Sequence, residues 1–389
     1  MFDYGQTYQI RSTLIRGGTS KGLIIRTTDL PTEPKIRDRV LLRIFGSPDH
    51  NQIDGLGGGT SLTSKLALVG PPSQPKAHID YTFGQVSLNQ EMIDYKVSCG
   101  NMASAVGLYA AEEGFVTLTE PVTEVHIYNT NTGKRIVAEI PVRNGQIEYE
   151  GNFSIDGVPG SASKIMLNFL DAGGTFTGKT LPTNHPIDRI TLDNGRQFQV
   201  SIVDSVNTLV FVQGSEWNIP GAQLHHQLET NEEMLQDLEE IRLKAGMLAG
   251  IIHDKASVSA GANALPKIAV IHGAEEFTTT THRIIRQEEI DIISAYISMG
   301  RLHRAFAVSG AVALATAAHI PDTLPNRIFS TSKDGIRIGH PSGVIYAEAA
   351  VQHHDSDWSV KRAAIGRTAR RLMDGFAFVP TATLSSSNV

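Results

Sequence analysis

Short apolar runs bounded by turn residues dominate the chain, and they predict strands. Tyr8 to Ile15, Gly22 to Arg26, Val125 to Tyr128, Ile136 to Ile140, Phe198 to Val203 and Thr208 to Val212 are mostly rich in Val, Ile, Phe or Thr and lie near Gly, Asn, Asp or Pro. Helical periodicity is rarer. Thr230 to Met247 carries Glu232 and Glu233 early and sets Leu235, Leu238 and Ile241 on one face. Glu288 to Met299 reads as another helix. Two further segments are small or apolar nearly all round: Gly100 to Ala111, opened by Cys99, and Gly310 to Ala318, opened by Ser309 and stopped by Pro321. A helix without a polar face is expected to be buried on every side. The two lie about half a chain apart, which suggests two similar halves, each a curved sheet around one central helix. Pro182 to Pro186 places the boundary, because two prolines in five residues interrupt any regular element. The expected organisation is therefore residues 1–184, residues 185–380 and a frayed tail at 381–389.

Composition narrows the function. Of 389 residues, 41% are hydrophobic and 19% charged, which fits a folded globular chain rather than a disordered one. Lys plus Arg number 34 against 40 Asp plus Glu, a formal charge of −6, so neither nucleic acid nor an anionic membrane is an expected partner. The N-terminal residues lack a basic stretch followed by an apolar run, so no signal peptide is expected, and no window approaches the roughly 18 apolar residues of a spanning helix. A single cysteine excludes an internal disulfide and thiolate-rich metal sites, and it points to a reducing, cytoplasmic compartment.

Several motifs suggest chemistry and fail on context. Gly173 to Thr180 satisfies the phosphate-loop pattern, with Asp204 in the place of a magnesium aspartate. A phosphate loop needs a helix directly after its Lys-Thr, and Pro182 and Pro186 follow instead, so the segment reads as a plain loop. The 14 histidines form no metal-binding helix pattern, and the pairs His225-His226 and His353-His354 read as solvated surface. The G-x-S-x-G elbow of serine hydrolases is absent.

What is left is unusual. Arg16-Gly17-Gly18-Thr19-Ser20-Lys21-Gly22 follows a strand, and Asp54 to Lys65 is a second Gly/Ser/Thr-rich loop ending in lysine. Ser98-Cys99-Gly100-Asn101 then opens the first buried helix. Loops of this kind expose backbone amides and hydroxyls, which suits a carboxylate or phosphate. A lone cysteine is usually a small buried hydrophobe, whereas at a helix N-terminus the dipole favours a reactive thiolate; position alone leaves both readings of Cys99 open.

With RGGTSKG, DGLGGGTSLTSK and SCGN go Asn129 to Lys134, Ile155 to Gly160 and Ile338 to Val344, and together these motifs resemble the PrpF family. That family includes 2-methylaconitate cis–trans isomerase, methylitaconate delta-isomerase, aconitate isomerase and 4-oxalomesaconate tautomerase. The resemblance covers nearly the whole chain. It implies an α+β, diaminopimelate-epimerase-like fold of two pseudo-symmetric halves, each a curved, mostly antiparallel sheet around a central helix, with the site in the cleft between. Diaminopimelate epimerases use one cysteine at the start of each central helix as a base–acid pair. Here the matching second position is Ser309, so the resemblance points instead to Lys65 as the proton-transfer residue, with Cys99 beside it as a second catalytic candidate.

The implied substrate is a small unsaturated di- or tricarboxylate, and no cofactor or metal is implied. Removing its allylic proton gives a dienolate whose charge falls on carboxylate oxygen, where helix-start amides stabilise it. Lys65 must be partly neutral to act as the base, and Lys21 and Arg16 are the candidate cations that favour this or bind a carboxylate. The other substrate contacts implied in the first half are Thr19, Ser20, Ser64, Gly100, Asn101 and Met102. Those in the second half are Ser309, Gly310, His340 and Ser342. Two competing readings are an amino- or hydroxy-acid epimerase on the same fold, which needs a second thiol, and a non-catalytic accessory protein of propionate- or citrate-type metabolism. The oligomeric state is left open, a homodimer among the options.

Overall fold

The computed structural model describes residues 2–95, 98–253, 265–298, 300–329, 335–354 and 357–384, and the chain forms two compact units. The first holds residues up to Asn168 together with Arg367 onward; the second runs from Phe169 to Gly366.

The first unit opens with strands β1 (Phe2–Tyr4), β2 (Thr7–Gly17) and β3 (Ser20–Arg26), followed by helix α1 (Pro34–Phe45). Strands β4 (Lys65–Gly70), β5 (Ile79–Val86) and β6 (Ile93–Asp94) lead to helix α2 (Gly100–Glu112). Strands β7 (Val122–Asn129), β8 (Lys134–Arg143), β9 (Gln146–Ile147) and β10 (Ile165–Phe169) follow. Pairing runs β2–β3–β4–β5–β7–β8, with the β3–β4 and β5–β7 pairs parallel. Alternation along β3, β4 and β5 sends Leu23, Ile25, Leu66, Leu68 and Val86 to one face, where they pack with Val40, Leu41, Ile44 and Phe45 of α1. The opposite face carries Gly22, Ile24, Lys65, Ala67, Phe83 and Gln85 in register. This face is turned toward α2, since a Cβ on Gly22 would run into the Lys65 carbonyl and lie 2.8 Å from Met102 Cε.

The second unit comprises β11 (Asp188–Thr191), β12 (Gln197–Ser205), β13 (Asn207–Gln213), α3 (Leu224–Thr230), α4 (Glu232–Leu248), β14 (Lys267–Gly273), β15 (Phe277–Thr278), β16 (Ile284–Ile285), β17 (Ile292–Ser298) and β18 (Arg301–Leu302). Then come α5 (Val308–His319), α6 (Leu324–Ile328), β19 (Gly335–His340), β20 (Gly343–His354) and β21 (Asp357–Arg367). Its sheet runs β11–β12–β13–β14–β17–β19–β20–β21. The amphipathic helix α4, capped by the Asn231 side chain on Met234 N at 3.0 Å, packs through Met234, Leu238 and Ile241 on one face. The small-residue helix α5 touches β12, β13, β19 and β20.

The final strand, β22 (Ala369–Pro380), belongs to the first unit, where it pairs with β2 along its whole length. With β22 in place, α2 touches β2, β3, β4, β5, β7, β8 and β22, so the sheet curls round it. Ten residues of α2, Met102 to Ala111, are buried, as the lack of a polar face predicts. Close approach depends on its small side chains: Gly107 stands so near Ala138 that no Cβ fits. The chain thus has the α+β, diaminopimelate-epimerase-like fold.

Three sequence expectations change. Residues 288–298 form not a helix but a 3-10 turn at Gln287–Glu289 and strand β17; Met299 lies outside the described residues. Strand β17 lies between β14 and β19 with Ile292, Ile293 and Ala295 fully buried, so both faces are apolar and the period-two signal disappears. His225 is buried against Phe277 rather than solvated, while His226, His353 and His354 are exposed. The first residues of the expected tail form a 3-10 turn, Thr381–Thr383, held by Thr381 N on Gln6 O at 2.9 Å; residues 385–389 lie outside the described residues.

Candidate active site

The first unit gathers Lys65, Cys99 and the RGGTSKG loop around the start of α2. Lys65 opens β4 and is 9% exposed. Its Nζ donates to Gln85 Oε1 at 2.8 Å and stands 5.1 Å from the centre of the Phe83 ring. Ser64 is fully buried and its hydroxyl donates to Gln52 Oε1 at 2.5 Å. Gln52 also accepts from Gly59 N at 2.9 Å, with its own backbone at φ +50. In the second glycine loop, Leu56 N and Gly57 N bond the Ile44 and Phe45 carbonyls at the end of α1. The expectation that this loop turns its amides toward an anion is therefore corrected for Leu56, Gly57 and Gly59: those amides cap a helix and hold Gln52.

Cys99 is the N-cap of α2, and no side-chain bond caps the helix. Its carbonyl accepts from Ala103 N at 3.2 Å and from the Tyr81 hydroxyl at 3.3 Å. Burial, and then the neighbouring Cys99, push the Tyr81 phenol well above its ordinary range, so it stays a neutral donor.

Asn101 joins three segments. Its Nδ2 donates to Thr19 Oγ1 at 2.9 Å and Ser20 Oγ at 3.3 Å, and its Oδ1 accepts from Arg367 Nε at 2.9 Å. Gly17 and Gly18 make this possible, because a Cβ on either would collide with Asn101. Arg367 is 6% exposed; burial pulls its guanidinium down to about 10, with Cys99 acting in the opposite direction. Arg16, taken from the sequence as a substrate-facing cation, gives its Nη1 to the Gly18 carbonyl, the Thr368 carbonyl and Thr368 Oγ1 at 2.9–3.0 Å. Burial, then Arg370, holds it below its ordinary range. Lys21 faces Arg16 across the β2–β3 hairpin.

In the second unit Ser309 is the second residue of α5, and its hydroxyl accepts from Asn207 Nδ2 at 3.4 Å. Gly310 packs under the Tyr296 and Phe306 rings. His340 is 4% exposed and its Nδ1 accepts from Ser342 N at 3.2 Å, while the Ser342 hydroxyl donates to the Arg304 carbonyl. The phosphate-loop look-alike closes on an internal carboxylate: Asp204 Oδ2 accepts from Phe176 N, Thr177 N and Thr177 Oγ1 at 2.7–2.9 Å. Among the described residues no group of three or more His, Cys, Asp or Glu is placed to hold a metal, and no helix is long and apolar enough to cross a membrane.

Sequence reasoning missed Gln85, Arg367 and Gln52. Gln85 carried a readable signal, a polar residue ending the inward series Ile79, Tyr81, Phe83. Arg367 carried none, since its place depends on the last strand rejoining the first unit.

The family profile described as PrpF protein matches residues 7–380. A 3-methylitaconate isomerase of Eubacterium barkeri is 40% identical over 379 residues, covering 97% of this chain and 98% of that protein. A 2-methyl-aconitate isomerase of Shewanella oneidensis is 32% identical over 386 residues, covering 96% and 97%. The crystal structure of a methylitaconate-delta-isomerase superposes with a TM-score of 0.91 at 39% identity, covering 98% of each chain.

Proposed function

The chain belongs to the PrpF family of isomerases, and we propose that it moves or rotates the C=C bond of a small unsaturated di- or tricarboxylate by allylic proton transfer through Lys65. The substrate class is that of the relatives named for 3-methylitaconate and 2-methyl-aconitate. One observation carries the reading: a lysine, 9% exposed, on the sheet face turned to α2, a helix whose start has no side-chain cap.

Lys65, as the neutral amine, takes the allylic proton; the C–H bond breaks, an N–H bond forms, and the electron pair enters the conjugated system. Charge builds on a substrate carboxylate oxygen, where the first amides of α2 and the positive end of its dipole stabilise it. Lys65 then returns the proton to the far carbon, which moves the double bond, or to the same carbon after rotation, which exchanges cis for trans. Lys21 and the hydroxyls of Thr19 and Ser20 supply carboxylate contacts. A two-thiol epimerisation needs a second cysteine, and the chain has only Cys99.

Proton NMR in heavy water with each candidate acid tests this directly. Wild type exchanges the allylic hydrogen of its substrate, whereas Lys65→Ala loses about 10² to 10⁴-fold in turnover and the exchange with it. Lys65→Arg does not rescue, because a guanidinium stays protonated. A folded Lys65→Ala that keeps its exchange would place the base elsewhere.

A further inference from the structure

Gln85 lies in none of the recurring motifs, yet it is the side chain that Lys65 Nζ touches. Register sets the two directly opposite each other on β4 and β5. The orientation of the amide is fixed from both ends: Oε1 accepts from Lys65 Nζ at 2.8 Å, and Nε2 donates to the Ser64 carbonyl at 3.0 Å. Reversed, it would point its NH₂ at an amine and its oxygen at a carbonyl. The strand beneath is held in turn by Asn131, whose Oδ1 accepts from Phe83 N at 2.7 Å and whose Nδ2 donates to the carbonyls of Phe83 and Tyr95 at 2.9 and 2.8 Å.

A neutral primary amine has two N–H bonds and one lone pair. With one N–H given to Gln85, the lone pair must point away from the amide oxygen. An ammonium keeps the same bond with one of its three N–H groups. We propose that Gln85 is a positioning residue for proton transfer: its amide oxygen holds Lys65 Nζ in both protonation states and aims the amine lone pair away from β5. This rests on Lys65 being the base. In each transfer the proton passes between substrate carbon and Nζ, and Gln85 neither gains nor loses one. A neutral acceptor suits this role, because a carboxylate in its place would retain the ammonium.

The other titratable or charged groups on the neighbouring elements are Asp94 on β6, the register partner of Gln85; Tyr81 on the same face of β5 and Asp80 on its other face; Lys21 and Arg26 on β3; and Cys99 at the start of α2 with Tyr109 and Glu112 further along it.

The pH dependence of kcat in Gln85→Glu, Gln85→Leu and Lys65→Ala tests the inference, with thermal melting to confirm folding. Gln85→Glu moves the rising alkaline limb of the profile up by about one to three pH units, because the carboxylate favours the ammonium. Gln85→Leu lowers the plateau kcat about ten- to a hundred-fold with KM little changed, because the amine is no longer aimed. A merely structural residue would lower the plateau without moving the limb, so an unmoved limb in Gln85→Glu overturns the inference, as does a wild-type plateau in Gln85→Leu. If Gln85→Leu does not fold, the near-isosteric Gln85→Glu decides alone. Full turnover in Lys65→Ala overturns the base assignment and this inference together. An inactive Lys65→Ala beside Gln85 variants that match wild type overturns only the inference.

Discussion

Cys99 stands where a helix wants a cap and supplies none. Ser, Thr, Asp and Asn cap helices through a side-chain oxygen that accepts from the second or third amide, and a thiol is a poor substitute. The first amides of α2 are therefore left for another acceptor, and the positive end of the dipole goes with them. Replacing the thiol by a hydroxyl should have two opposite effects. Cys99→Ser gains a cap and becomes more stable by about 0.5–1 kcal/mol. If a substrate carboxylate binds those amides as proposed, the new cap also competes with it, and turnover is expected to fall without being abolished because Lys65, the proposed base, is untouched. Urea denaturation and steady-state kinetics on one preparation check both. A loss as complete as that of Lys65→Ala would make Cys99 an obligatory acid or base.

Elements were readable from the sequence where an apolar run is bounded by turn residues or where a helix is small all round. Strands β2, β3, β7, β8, β12 and β13 lie where their apolar runs between turn residues put them, and α2 and α5 lie inside their sheets because Ala, Gly and Ser leave no polar face. Strand β17 escaped because Ile290, Ile293 and Ile297 fall at helical spacing behind the acidic Glu288 and Glu289. Prolines exclude a phosphate loop at Gly173 to Thr180, but the segment's actual role is not legible in the sequence: its amides satisfy Asp204, which comes from a strand more than 25 residues away. The RGGTSKG glycines suit an anion loop, and the structure adds a packing reason that no local pattern encodes. A Cβ on Gly17 would strike the Asn101 carbonyl and lie 3.0 Å from both Ala105 Cβ and Ala105 N. Most of what it meets is backbone, so α2 itself must move. Gly17→Ala is expected to cost about 1–3 kcal/mol and to loosen the Asn101 bonds to Thr19 and Ser20. Gly375→Ala, on β22 with nothing within 4 Å, is the control and should melt like wild type. Equal melting temperatures for the two variants would show that the helix start tolerates displacement.

At the scale of the whole molecule, stability carries a pH dependence set far from Lys65. His225 lies in α3 with 9% of its surface exposed, its ring edge-on to Phe277 at 5.3 Å and its Nε2 3.3 Å from the Ser294 carbonyl. Burial pulls it down to about 4, and the Ser294 carbonyl offsets this only in part. In the unfolded chain a histidine titrates near 6.5. Above that value the ring is neutral in both states and contributes no pH dependence. As the pH falls through 6.5 the unfolded chain takes up a proton that the folded chain refuses until about 4, so the unfolded state gains and stability declines across that window. The full loss is about 3 kcal/mol, and below pH 4 both states are protonated and the slope from this residue vanishes. Carboxylates titrate in the lower part of the same window, so the wild-type curve alone does not isolate the histidine. His225→Leu fills a similar volume without a titrating group, and subtracting its urea-midpoint curve from that of wild type leaves the His225 component. That difference should be flat from pH 8 to 7, fall between about 6.5 and 4, and level off below. Parallel curves for wild type and variant from pH 7 to 4 would mean that the folded protein protonates His225 as readily as the unfolded chain does, by opening α3 to water rather than by unfolding.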